Sequence, residues 1–235
     1  MPSAIKLRRV VQPYMECGPA ALKMVMEYLT GKHYNLNQII KETKSEEKYV
    51  DWDFKLGIAA IRRGFRVTIF TMSTDFFDPS WYKLSKSALI RKLKKRLKFI
   101  LHYNKRNIRD GYIWWWYESS HKAIISFLEH GGKIVFKPIS KELIISYLSK
   151  RIPVICSVNG SIFYSKRRVY RGKYDDIRGE YFGHIVVVTG YKNGKFIITD
   201  TEKISNKTGG IIEIDADLLI NCILTSTGNL IVLES

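Results

Sequence analysis

The stretch Gln12-Pro13-Tyr14-Met15-Glu16-Cys17-Gly18-Pro19-Ala20-Ala21-Leu22 sets a cysteine at the opening of an amphipathic helix, with an amide side chain just upstream. The first backbone N–H groups of a helix have no intrahelical partner, and together with the macrodipole they favour a thiolate placed there. Pro19 fits the first turn, where a missing N–H costs nothing. Small or apolar residues at Cys17, Ala20, Ala21, Met24, Val25 and Tyr28 recur on one face of a 3.6-residue period, and Gly31 after Thr30 supplies the stop. The pattern predicts a core-packed helix whose first turn, and hence whose thiol, is aimed by that packing.

Outward from this helix the chain reads as α+β. Short helices are expected over residues 35–43 and 52–63, the second closed by Gly64, and residues 65–71 alternate apolar and polar side chains like a strand. Between about 76 and 118 the texture changes to aromatics and lysines: Trp81 and Tyr82, a basic helix near 87–102, then Tyr112 and the run Trp114-Trp115-Trp116-Tyr117. In the basic helix Leu89, Ile90, Leu93, Leu97, Ile100 and Leu101 form one apolar stripe, so it docks on something through that stripe. Regular alternation resumes with a helix over 119–130 ended by Gly131-Gly132, a strand over 133–137 and a helix over 140–150 capped by Ser140. A buried strand at 152–158 and a polar, Arg-rich loop through Arg178 follow. Two strands, 184–191 and 196–200, then flank a turn holding Lys192-Asn193-Gly194-Lys195. A short helix near 215–223 and a strand at 229–233 end the chain. The expectation is a single domain, residues 1–235, with an insertion at about 76–118.

With 235 residues, 46% of them hydrophobic, the chain can bury a real core. No apolar run of about 18 residues argues for a transmembrane helix, and no apolar segment follows the N-terminal charges as a secretory signal requires. Cys17, Cys156 and Cys222 are scattered, cannot form a disulfide framework, and none lies in a zinc-type pair. A reducing, cytoplasmic compartment is expected, and no metal or cofactor is called for. The formal net charge of +17 is concentrated: between Ser80 and Asp110 eleven Lys/Arg face the single acid Asp110. Such a block suits a polyanion, an acidic membrane or an acidic protein partner, and equally a solvated helix face.

Cysteine chemistry needs a base within hydrogen-bond reach of the thiol and a third group to orient that base. Among the five histidines His184 is best placed, because it opens the apolar strand Ile185-Val186-Val187-Val188 that would hold it rigidly. His33 and His102 lie in basic or aromatic surface-like contexts, and His121 and His130 sit in a helix and near its end. Asp200, ending the partner strand, is the natural orienter, and strand register tests it. A two-residue Asn193-Gly194 turn sets Asp200 across from Val187, on the wrong face. A loop centred on Lys192, or an equivalent bulge, sets it across from His184. Gln12 could donate its amide to a developing oxyanion beside the Cys17 backbone N–H. Cys156, in an apolar strand, and Cys222, in a short apolar helix, read as core.

Gln12, the run Glu16-Cys17-Gly18-Pro19-Ala20-Ala21-Leu22, Gly183-His184 with its Val-rich strand, Gly190-Tyr191 and Asp200 together resemble the papain-like cysteine peptidases of the double-glycine-leader (bacteriocin-processing) group and their stand-alone relatives. Ile152-Pro153-Val154-Ile155 is similar to the family's buried strand. The resemblance implies a papain-like fold, the helix led by Cys17 packed on an antiparallel sheet bearing His184 and Asp200. It also implies roles: Cys17 as nucleophile, His184 as general base then acid, Asp200 as orienter and Gln12 as oxyanion-hole donor. Gln12 stands five residues before Cys17, where the family's glutamine is usually six before. No transporter or ATP-binding segment is visible, so a double-glycine leader substrate does not follow. The expected activity is hydrolysis of a peptide or isopeptide bond in a peptide or protein substrate. If an amine resolves the thioester, the same site is an acyl transferase or ligase. The contrasting expectation is an idle papain-like module that binds nucleic acid or another polyanion through the basic insertion.

Overall fold

A computed structural model describes residues 4–43, 52–104 and 111–235, without the side chains of 52, 103, 104, 111–115 and 204–206. Of the basic block, Lys105, Arg106, Arg109 and Asp110 lie outside the described residues, as do the side chains of Trp114 and Trp115.

The chain opens with three helices, α1 (Cys17–Thr30), α2 (Leu36–Thr43) and α3 (Trp52–Ile61), followed by strand β1 (Arg66–Thr71). The long helices α4 (Lys86–Asn104) and α5 (Gly111–Glu129) lead to β2 (Lys133–Phe136), α6 (Lys141–Leu148), β3 (Val154–Asn159) and the single turn α7 (Gly160–Phe163). The ribbon β4 (Val169–Tyr170) and β5 (Lys173–Tyr174) occupies the Arg-rich loop. It precedes β6 (Gly183–Lys192), β7 (Lys195–Thr199), β8 (Ile211–Asp215), α8 (Ala216–Leu224) and β9 (Leu230–Glu234). Among the described residues the main sheet runs β2-β1-β9-β3-β6-β7-β8. Its pairs are antiparallel except β1 with β2, where α4 and α5 form the long crossover that parallel strands require. The basic segment is thus a helical connection within the sheet's own topology, and the tryptophan run belongs to the first turns of α5 rather than to a loop before it.

Helices cover both faces of the sheet. On one face α1, α3, α4 and α5 bury Leu22, Met24, Phe54, Leu93 and Phe127 against Val67, Ile155, Ile185, Val187 and Ile231. On the other, α6 and α8 bury Ile144, Leu219 and Ile223 against Val154, Cys156, Val186, Val188, Phe196 and Ile198. Strands β3 and β6 are therefore apolar on both sides, which is why they read as continuous runs and not as alternations. Among the described residues no helix is long and apolar enough to cross a membrane.

The turn between β6 and β7 is the two-residue one: Lys192 pairs with Lys195, and Asn193 and Gly194 both take positive φ, 50° and 80°. By itself this turn would put Asp200 on the wrong face. A bulge at Thr189, between the pairs Val188↔Ile198 and Gly190↔Ile197, inserts one residue and reverses the parity. Val187 then pairs with Thr199, so the next position, Asp200, falls level with Val186 on the face His184 shares. Asp200 is diagonal to His184, not directly across as a loop centred on Lys192 would have set it. The bulge is held on two sides: the Ile5 N–H donates to the Thr189 carbonyl at 2.8 Å, and the Thr189 hydroxyl donates to the Ile197 carbonyl at 3.1 Å. Gly190 lets the N-terminal segment pass, since a Cβ there would stand 2.9 Å from that of Ala4.

Candidate active site

The expected helix begins at Cys17 and ends at Thr30, where Gly31 adopts φ 68° and donates its N–H to the Glu27 carbonyl. Its first ten residues are all buried. Lys23, the one cation among them, is neutralised by Glu27 and donates to the Tyr34 carbonyl at 2.7 Å. The N-terminus of α1 is therefore fixed. Ahead of it the chain reverses through Met15, whose φ of 59° is uncommon for a side chain of that size, and the turn leaves Tyr14 and Met15 exposed beside Cys17.

Cys17, His184 and Asp200 converge where β6 begins and β7 ends. His184 Nε2 lies 2.8 Å from Asp200 Oδ1, and the Cys17 thiol lies close enough to the same ring to act on its charge. With Nε2 engaged by the carboxylate, Nδ1 is the nitrogen left for the sulfur. Burial opposes a charged imidazole here, but the hydrogen bond to Asp200 and the neighbouring Cys17 outweigh it, and the His184 pKa is raised above its ordinary value. The chain thus brings three of its four candidate residues together, His184 hydrogen-bonded to Asp200 with the Cys17 thiol beside its ring.

Gln12 is buried and its amide is oriented. Its Oε1 accepts from the Thr201 hydroxyl at 2.7 Å, its Nε2 donates to Glu202 Oε2 at 2.8 Å, and its backbone N–H donates to the Thr201 carbonyl at 2.9 Å. A primary amide carries two N–H bonds, so a second donor remains. Because Thr201 and Glu202 directly follow Asp200, the same segment that presents the carboxylate fixes the amide. Arg9 locks that segment, donating Nε to the Asp200 carbonyl at 2.8 Å and Nη2 to the Glu202 carbonyl at 2.7 Å.

Tyr164 is a site residue that the sequence did not announce. Its hydroxyl donates to Asp200 Oδ2 at 2.8 Å, so both carboxylate oxygens are engaged, and its ring lies 5.4 Å from that of His184. Burial, followed by the charge of Asp200, pushes the phenol well above its ordinary range, so Tyr164 stays a donor. Its position follows from α7: the Asn159 side chain caps that turn by accepting from the Ile162 N–H, and the Gly160 N–H donates to the Phe182 carbonyl. A Cβ on Gly160 would stand 2.3 Å from the Phe182 ring, so only glycine lets α7 sit against the strand that carries His184. A dipeptide Asn159-Gly160 ending a buried strand was the available signal, but nothing local pointed it at a carboxylate 36 residues away.

The other thiols lie elsewhere. Cys156 and Cys222 are fully buried, and burial raises both pKa values, that of Cys222 to about 11, so neither is a rival nucleophile. Among the described residues no cluster of histidine, cysteine and carboxylate side chains could hold a metal ion.

Residues 5–216 match the model of the Peptidase C39 like family. Among solved structures, the chain is similar to the peptidase domain of Streptococcus ComA, a bi-functional ABC transporter involved in a quorum sensing pathway, at 16% identity and a TM-score of 0.48, over 97% of each chain. It is also similar to a putative C39-like peptidase from Bacillus anthracis, at 13% identity and a TM-score of 0.42, over 98% of this chain and 90% of that one. No curated protein matches the sequence.

Proposed function

The chain belongs to the Peptidase C39 like family, and from that premise we propose that it is a papain-like cysteine peptidase whose working groups are Cys17, His184, Asp200 and Gln12. The observation that carries this reading is the convergence on one ring: Asp200 Oδ1 at 2.8 Å from His184 Nε2, with the Cys17 thiol close enough to the same imidazole to act on its charge.

In the reaction His184 takes the proton of Cys17, and the sulfur adds to the carbonyl carbon of a peptide or isopeptide bond. The oxyanion is met by the Cys17 backbone N–H and the second N–H of Gln12. As the tetrahedral intermediate collapses, the C–N bond breaks and His184 returns the proton to the leaving amine, leaving a thioester on Cys17. Water, deprotonated by His184, then adds to the thioester and expels the thiol. An amine in place of water makes the same site an acyl transferase. Asp200 keeps the ring in the tautomer that presents Nδ1 to sulfur and stabilises the imidazolium that forms.

The test is iodoacetamide labelling at near-neutral pH with peptide mapping, alongside turnover of a quenched fluorescent peptide library. Cys17 is expected to label faster than Cys156 and Cys222, the preference vanishing in His184→Ala. Cys17→Ala is expected to lose at least about 10³-fold in kcat. Labelling of Cys17 no faster than of the two buried thiols, or turnover that survives Cys17→Ala, overturns the proposal.

A further inference from the structure

The peptidase reading leaves α4 unexplained. This helix carries Lys86, Arg91, Lys92, Lys94, Lys95, Arg96 and Lys98, and no acidic residue from Lys86 to Asn104. Its inner stripe is already used: Leu89 and Leu93 are buried in the core shared with α5, and Ile100 is fully buried too. The opposite side presents Arg91, Lys94, Lys95 and Lys98 to solvent at helical spacing. Lys94 meets Glu129 at 2.7 Å. Arg91 and Lys95, like Lys94 and Lys98, are same-sign neighbours one turn apart, an arrangement that weakens a helix left alone in water.

Two apolar side chains stand beside these cations. Phe99 is 49% exposed and Leu101 37% exposed, in the last two turns of α4. Helical spacing places one on each flank of the basic crest. Arg96 lies over the Phe99 ring at 5.4 Å, so one face of this aromatic already meets positive charge.

We propose that the outer face of α4 docks on an anionic lipid surface, its lysines over the headgroups and Phe99 and Leu101 entering the interface. Basic crests flanked by exposed apolar residues gain from both parts of a bilayer surface, whereas a phosphodiester backbone rewards only the charges. The composition leans the same way, with five lysines to two arginines, so point charges outnumber the guanidinium forks that suit phosphate and base edges. The inference does not rest on the peptidase reading.

The test uses the full chain with sedimented vesicles, either neutral phosphatidylcholine or the same lipid with about 30% phosphatidylserine, at low and moderate salt. Binding is expected only to the anionic vesicles and should weaken as salt rises. Removing one cation is worth roughly fivefold, so Lys95→Glu with Lys98→Glu is expected to weaken binding at least about 25-fold. Phe99→Ser is expected to weaken vesicle binding about tenfold while leaving any binding to a short DNA duplex unchanged. Circular dichroism and Tm establish that the variants fold, and Lys98→Glu alone serves if the double variant does not. Turnover of a soluble peptide is expected to be the same in all of them. No preference for anionic vesicles, undiminished binding by the charge variants, or tighter binding to the duplex with Phe99→Ser without effect on vesicles overturns the proposal, the last in favour of a nucleic-acid face.

Discussion

At the scale of single residues, the candidate site depends on how completely Asp200 is held. One carboxylate oxygen faces His184, the other accepts from Tyr164, and the Glu202 N–H reaches Oδ1 at 3.2 Å. A carboxylate bonded at one oxygen can rotate; one bonded at both presents a fixed lone pair to the imidazole. Tyr164→Phe keeps the ring, which stacks on Phe182 at 6.3 Å with planes 12° apart, and deletes only the hydroxyl. Loss of a hydrogen bond to a charged group costs roughly 1.5–3 kcal/mol, so kcat is expected to fall about tenfold or more. KM should stay nearly unchanged, because the phenol serves the carboxylate rather than the substrate. Steady-state kinetics check this, and an unchanged kcat would mean that the ring alone positions Asp200. The residues legible in the sequence were those with a local signature: a thiol at a helix start, an imidazole opening a Val-rich strand, a carboxylate closing its partner. Tyr164 has none, because its role exists only once the turn after β3 is folded back on the start of β6.

At the scale of elements, the two strands bearing His184 and Asp200 were legible and their register was not. Asn193-Gly194 names its own turn, and that turn taken alone separates the pair. The missing term is the bulge at Thr189, which is stabilised by Ile5, a residue far away in the chain, and by the close approach that Gly190 permits. The helices of the crossover show the same limit. The apolar stripe of α4 predicted that it docks but not on what: Leu89 and Leu93 share one core with Ala123, Ile124 and Phe127 of α5, the helix that also carries His121. There His121 is fully buried, its Nδ1 set 2.7 Å from the Tyr117 carbonyl and its ring 5.9 Å from that of Phe76. Burial, aided by the charge of Arg96, lowers the His121 pKa from the ordinary 6.5 to about 4, although the bond to Tyr117 opposes the shift. The unfolded chain therefore binds a proton that the folded chain refuses between those two values. His121 makes its full contribution above about pH 6.5, and that contribution shrinks as the pH falls toward 4, by roughly 3 kcal/mol in all. Thermal unfolding followed from pH 7 to 4 is expected to show a drop in Tm that is smaller in His121→Leu. Parallel curves for the two proteins would mean that the ring is hydrated or paired in solution.

At the scale of the whole molecule, the site is assembled from parts that the chain holds far apart, and the N-terminal segment is what joins them. Residues 5–12 contact the β6–β7 hairpin and its continuation at successive points: Ile5 at Thr189, Arg9 at the carbonyls of Asp200 and Glu202, Gln12 at Thr201 and Glu202. Five residues later comes Cys17. The distance from thiol to imidazole is thus controlled by a short segment bonded to the carboxylate's own backbone, as well as by the packing of α1. Asp53 does similar work elsewhere, a buried carboxyl accepting from Ser157, Thr227 and Asn229 and so tying α3 to β3 and to the segment that leads into β9. Such contacts span some 100 to 190 positions, and no periodicity or local motif encodes them. Arg9 is the connection most open to test, because Gly210, at φ 83°, leaves room for its side chain where any Cβ would stand 2.0 Å from Nε. Arg9→Ala removes at least the two charge-assisted bonds to the Asp200 and Glu202 carbonyls, partly screened by solvent, a loss of about 2 kcal/mol or more, and for a chain of this size Tm should fall by at least roughly 4–8 °C. If the segment sets the geometry of the site as well as its stability, kcat measured well below that Tm falls too, and labelling of Cys17 slows with it. A lower Tm with kinetics intact would assign Arg9 to the fold alone and leave the approach of sulfur to imidazole to α1.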